Sequence, residues 1–176
     1  ARMLISYLSS FMSEDEIKEL FIARNLLRGL KEGLRELNLT LRQLNRAPLT
    51  SSLGRVLDAV SVFLKICYKR TYEGEPAIKL EAAAKNGKIL DEIELKIEKQ
   101  NNKLIIKTTR LFETIISNLD KNKKDIAITV QYLLGRGLGE VASRYAKTRF
   151  ILVSGGAAVN SYTVSYTHLT LPTTER

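Results

Sequence analysis

The sequence predicts a helix-rich α/β domain with a β-hairpin and a short core strand before a Gly-Gly loop. Three observations carry that expectation. Apolar residues recur at helical spacing over most of the chain, whereas across 93–107 the period drops to two. Residues 150–153 then form a short β-rich apolar run that ends in Ser154, Gly155 and Gly156. Helix, buried strand, glycine turn and a further helix start make an α/β unit.

Taken in order, residues 1–46 read as helices. Ser13 followed by Glu16 is a capping box, in which each side chain satisfies a backbone N–H of the other's residue. Ile17, Leu20, Phe21, Arg24, Leu27, Leu30 and Leu34 continue at helical spacing. After the break at Pro48, Ser51 or Ser52 is placed to cap a helix whose apolar face carries Val56, Leu57, Val60, Phe63, Leu64 and Cys67. Residues 72–76 form a loop into another helix that runs through Ala84 and ends near Asn86 and Gly87. In the hairpin, Ile93, Leu95 and Ile97 alternate with Glu94, Lys96 and Glu98, and Gln100, Asn101 and Asn102 supply the turn. Two more helices come next, at about 110–119 and 125–147. Gly135, Gly137 and Gly139 fall inside the second, where each costs roughly 1 kcal/mol relative to Ala. Close packing against a neighbouring element offsets that cost, or else the backbone approaches a ligand there.

The chain has 176 residues, 44% of them hydrophobic, which is enough for one domain with a sizeable core. With 27% charged residues and a mean hydropathy of -0.10, it resembles neither a disordered segment nor a membrane protein. No apolar run reaches the roughly 18 residues that a bilayer span needs, and residues 1–12 lack the order of a signal peptide. Cys67 is the single cysteine, so no internal disulfide forms, as suits the cytoplasm. Lys and Arg exceed Asp and Glu by 28 to 19, a net charge of +9 that attracts polyanions. The basic residues are scattered, however, and the densest cluster, Lys121, Lys123 and Lys124, reads as a solvated turn. A basic nucleic-acid-binding module would add stacking aromatics interleaved with arginines, and none are evident.

From Val164 the character changes. VSYTHLTLPTTER has no helical period and contains a Pro, and it resembles a translated sequencing adapter, so 164–176 are expected to be a non-native tail. His168, the one histidine, falls inside it. On this reading 1–163 are an internal piece of a longer protein.

Two constellations carry chemistry. Directly after the expected strand, Val153, Ser154, Gly155, Gly156, Ala157, Ala158, Val159 and Asn160 place two glycines where backbone amides can approach a phosphate or nucleoside. Asn160, one turn into the expected helix, is in reach of that ligand; a plain strand-to-helix turn is the alternative. In the second, Asp58 lies among Leu57, Val60 and Phe63, and a carboxylate beside an apolar face needs a partner. Arg55, three residues back, is one candidate. The other reading has Asp58 and Glu75 accepting hydrogen bonds from ribose hydroxyls.

The strings SSLGRVLDA, YEGEPAIKLE and VSGGAAVN, in this order and spacing, resemble the C-terminal domain of the HypF family of hydrogenase maturation proteins and its relatives, the antibiotic O-carbamoyltransferases. The resemblance covers nearly all of 1–163. VSGGAAVN is more distantly similar to the loop of the threonylcarbamoyl-tRNA enzymes, whose domain has the actin/hexokinase-like ASKHA fold. The first two strings favour the HypF branch. The resemblance implies a partial ASKHA domain that passes a carbamoyl group from carbamoyl-adenylate to the C-terminal cysteine thiolate of a HypE-type partner, for the cyanide ligand of a [NiFe] hydrogenase. Carbamoyl phosphate and ATP would be used in other domains. It further implies that Asp58, Gly74 and Glu75 hold the ribose side and that Ser154, Gly155, Gly156 and Asn160 hold the adenylate. The family's divalent metal is bound by paired histidines and an aspartate that match nothing in this sequence. The expectation is therefore weak nucleotide binding without turnover by this chain alone.

Overall fold

The computed structural model describes residues 1–148 and 153–167, and the chain divides into two compact units, 1–83 and 84–176. The first unit is helical: α1 (Arg2–Leu8), α2 (Glu14–Ala23), α3 (Leu34–Gln43), α4 (Leu53–Phe63) and α5 (Glu75–Ala83). The second holds a hairpin of β1 (Lys96–Gln100) and β2 (Lys103–Lys107), then α6 (Thr108–Ser117), α7 (Lys123–Tyr145) and α8 (Ser161–Thr167).

α2 starts where its capping box places it. The Ser13 hydroxyl accepts from the Glu16 N–H at 3.3 Å, and a Glu16 carboxylate oxygen accepts from the Ser13 N–H at 2.7 Å. The helical spacing beyond it does not continue as one helix. Asn25 turns left-handed at φ 57°, a 3-10 turn covers Leu26–Gly29, and Gly33 precedes α3. Leu26 and Leu30 are nevertheless buried, so the apolar spacing survives the change of backbone. Ser52 occupies the N-cap position of α4 but its side chain makes no capping bond, contrary to the expectation for that serine. The α4 face is as expected, with Leu57, Val60 and Phe63 fully buried and Val56, Leu64 and Cys67 nearly so. α4 packs against α1 and α5, and this contact centres the core of the first unit.

In the second unit β1 and β2 pair antiparallel with Lys96 opposite Lys107. Asn101 and Asn102 both have positive φ, 48° and 61°, the backbone of a type I′ hairpin turn. The strand begins at Lys96 rather than Ile93. Residues 84–95 instead run irregularly along the helices, with Lys88 N–H donating to Asp125, Leu90 N–H to Thr129 and Glu94 N–H to Thr114 at 2.8, 2.9 and 3.2 Å. Those hydroxyls and that carboxylate satisfy backbone groups that a ladder would otherwise pair. Ile93 is thereby carried into the core with Phe112, Ile115, Ile126 and Val130.

Gly135 and Gly137 of α7 are packing positions. A Cβ on Gly135 would overlap the Thr163 carbonyl group of α8, and one on Gly137 would meet Leu95 Cδ2 at 2.8 Å. α7 and α8 can approach closely because Gly135 has no side chain. The expected core strand at 150–153 falls almost wholly outside the described residues; Val153 is in no strand and is about half exposed. α8 runs through Thr167, across the expected boundary of the tail at 164, and residues 168–176, with His168, are outside the described residues. Among the described residues, no helix is long and apolar enough to cross a membrane.

Candidate functional site

The residues singled out in the sequence fall into two groups, Asp58, Gly74 and Glu75 in the first unit and Ser154, Gly155, Gly156 and Asn160 in the second.

In the first unit, the start of α4 presents Arg55 and Asp58 to a cavity of about 420 Å³. Lys31, Cys67, Lys69 and Arg70 line the same space. Asp58 pairs with Arg55, Nη1 to Oδ2 at 3.3 Å, and its side chain is 24% exposed, so the carboxylate keeps access to the cavity while paired. Both sequence readings of Asp58 are therefore compatible with one geometry. Excess positive charge around a partly closed cavity favours an anionic occupant.

Two acids from helix first turns fix the loops that carry those cations. Glu36 Oε2 accepts from the Lys31 N–H at 2.6 Å and the Glu32 N–H at 3.2 Å. Glu75 does the same for 67–74. Its Oε2 accepts from the Thr71 N–H and from the Thr71 hydroxyl at 3.0 Å, and its Oε1 pairs with Lys79 Nζ at 2.7 Å. Glu75 is buried, and the Lys79 ammonium, followed by the Thr71 N–H, pushes its carboxyl down to about 2. Gly74, before it, has φ +81°, which a side chain at that position would strain. Cys67 donates its thiol to the Lys69 carbonyl at 3.2 Å. Burial, and then the nearby Glu75 charge, raises its pKa.

In the second unit, Ser154, Gly155 and Gly156 are exposed, and Gly155 has φ +88° with nothing near a Cβ built there. This turn therefore lies at the surface of the second unit. The segment after the glycines differs from expectation: Gly156–Val159 is a 3-10 turn, and Asn160 stands before α8 rather than a turn inside it. Asn160 Oδ1 accepts from the Thr163 N–H and hydroxyl, both at 2.9 Å, while its Nδ2 donates to Gln131 at 2.7 Å. Asn160 is thus a buried N-cap that ties α8 to α7. The Glu75 clamp and the Asn160 cap both escaped sequence reasoning; an Asn three residues before a Thr was the available signal for the second.

Among the described residues, no three His, Cys, Asp or Glu side chains come together as a metal site. The described residues thus assemble no site for the divalent metal implied by the resemblance, and no chemical step is routed through it.

Comparison with known proteins fixes the class. The family described as the carbamoyltransferase Kae1-like domain, second subdomain, matches residues 1–174, and this chain belongs to it. The chain is 38% identical over 166 residues to the probable carbamoyltransferase HypF of Methanocaldococcus jannaschii, covering 90% of this chain and 20% of that protein. It is 32% identical over 95 residues to the carbamoyltransferase HypF of Synechocystis sp., covering 52% of this chain and 12% of that one. The crystal structure of T. kodakarensis HypF superposes with a TM-score of 0.77 at 31% identity, over 96% of this chain and 23% of that one. The helix-rich fold with its two-stranded antiparallel sheet is thus that of the HypF Kae1-like, ASKHA-type domain. The chain spans about a fifth of the length of the M. jannaschii relative.

Proposed function

We propose that the protein carrying this chain is a cytoplasmic carbamoyltransferase that moves a carbamoyl group from carbamoyl-adenylate to the C-terminal cysteine thiol of a HypE-type partner. The product serves the cyanide ligand of a [NiFe] hydrogenase. In this step the thiolate sulfur bonds to the carbamoyl carbon, the bond from that carbon to the phosphate oxygen breaks, and AMP leaves. The thiol proton passes to solvent.

One observation carries the nucleotide part of the reading: a half-buried carboxylate, Asp58, shares a cavity of about 420 Å³ with Lys31, Arg55, Lys69 and Arg70. A carboxylate accepts hydrogen bonds from ribose hydroxyls, and the surrounding cations offset a phosphate charge. Arg55 pairs with Asp58 through Oδ2 without closing the carboxylate off from the cavity. In the second unit, taken by itself, the exposed Ser154, Gly155 and Gly156 turn suits an anionic or carbonyl group. Asn160, four residues after Gly156, caps α8 and is held to Gln131 of α7.

The test is Asp58→Ala in the full-length protein, with adenylate formation and thiol carbamoylation assayed separately. A hydrogen bond to a charged group contributes about 1.5–3 kcal/mol, so the concentration of carbamoyl-adenylate needed for half-maximal transfer should rise about 10- to 100-fold. Adenylate formation, assigned to another domain, should be unchanged. Transfer at the wild-type rate under subsaturating adenylate would remove Asp58 from the site.

A further inference from the structure

The loop at 67–74 forms no helix or strand, yet it brings Lys69 and Arg70 to the cavity that Asp58 lines. Specific bonds anchor it. The Cys67 N–H donates to the Ser61 carbonyl at 3.3 Å, the Cys67 thiol to the Lys69 carbonyl at 3.2 Å, and Thr71 is held through both its N–H and its hydroxyl by Glu75. Thr71 is the residue directly after Arg70, so whatever fixes Thr71 fixes the cationic pair. Glu75 itself is only 4% exposed. One of its oxygens is occupied by Thr71 and the other by the Lys79 ammonium. A carboxylate so engaged has little left to offer a ligand hydroxyl. Asp58, with an exposed edge on the cavity, does.

We propose that Glu75 is a positioning residue that holds Thr71 and thereby sets Lys69 and Arg70 against the phosphate of a nucleotide whose hydroxyls meet Asp58. Glu75 then does not touch the ligand. The ligand class is a nucleoside carrying a phosphate, and the phosphate contributes affinity through the loop. This rests on the nucleotide reading above.

AMP and adenosine titrated into the full chain separate the two ideas. Wild type should bind AMP more tightly than adenosine. Lys69→Ala with Arg70→Ala should weaken AMP by about tenfold or more, the loss of the charge-assisted contacts to its phosphate, and leave adenosine within about twofold. Glu75→Gln should show the same selective loss, and adding it to the double variant should cost nothing more, because it acts through those two residues. Equal weakening of AMP and adenosine in Glu75→Gln would mean direct contact with the nucleoside, overturning the proposal while the nucleotide reading stands. An unchanged ratio of AMP to adenosine affinity in the Lys69→Ala, Arg70→Ala variant also overturns it, whether or not Glu75→Gln folds. Wild-type chain that binds neither ligand removes the nucleotide reading and this proposal with it.

Discussion

Glu75 shows how much of a carboxylate's role is set by the bonds it makes once the chain has folded. Its place in the YEGEPAIKLE string implied a ligand group, whereas its oxygens close a loop and pair with Lys79. Its folded pKa is depressed from 4.5 to about 2, so the stability it contributes is present above the unfolded value and is lost as pH falls through the folded one. The expected outcome is a melting temperature for wild type above that of Glu75→Gln at pH 6, with the gap closing between about pH 4.5 and 2. A gap that stays constant over that window would show that the ionised form is not what stabilises the loop. Asp58 was legible in the sequence because an acid among Leu57, Val60 and Phe63 stands out by pattern. The clamps of Glu75 and Asn160 were not: Thr71 and Thr163 lie only four and three residues from their partners but in ordinary polar spacings, and Gln131 is brought to Asn160 only by the fold.

At the scale of elements, punctuation decided what could be read. Ser13 with Glu16 and Asn101 with Asn102 force local backbone geometry whatever surrounds them, so α2 and the hairpin turn stand where the sequence put them. The irregular path of 84–95 depends on tertiary partners, Thr129 and Thr114 among them, and apolar spacing alone could reveal neither that path nor the left-handed break at Asn25. Glycine in a helix is similarly ambiguous until its neighbours are known. Gly135→Ala would gain roughly 1 kcal/mol of helix propensity but drive a methyl into the Thr163 carbonyl, and overpacking costs about 1–3 kcal/mol. Gly54 in α4 is the control, since a Cβ there meets only Ser52 Oγ at 3.7 Å. Urea unfolding should show Gly135→Ala destabilised and Gly54→Ala neutral or stabilised by up to about 1 kcal/mol. Equal gains at both positions would mean that α7 and α8 are not in close contact at Gly135.

For the whole molecule the question is what a net charge of +9 does. A dedicated nucleic-acid surface gathers cations on one face and leaves them unpaired. Here many of the described cations already stand beside acids: Lys18 with Asp15, Arg35 with Glu32, Arg110 with Glu94 and Glu113, Lys121 with Glu92, Arg144 with Glu140. Such exposed pairs add little stability, but each cancels its own near field and leaves the surplus spread thinly. The cations of the Asp58 cavity are arranged around a concave space that suits a small anion rather than the flat run of phosphates on a duplex. Long-range attraction to DNA should therefore exist at low salt without any base readout. The expected result is measurable duplex binding near about 20 mM salt that is independent of sequence and falls steeply by about 200 mM, as counterion release requires. AMP binding should weaken far less over the same range, because one phosphate in a partly closed cavity releases few counterions and is less screened. Duplex binding that persisted at about 200 mM salt and discriminated between sequences would instead make nucleic acid a specific partner of this chain.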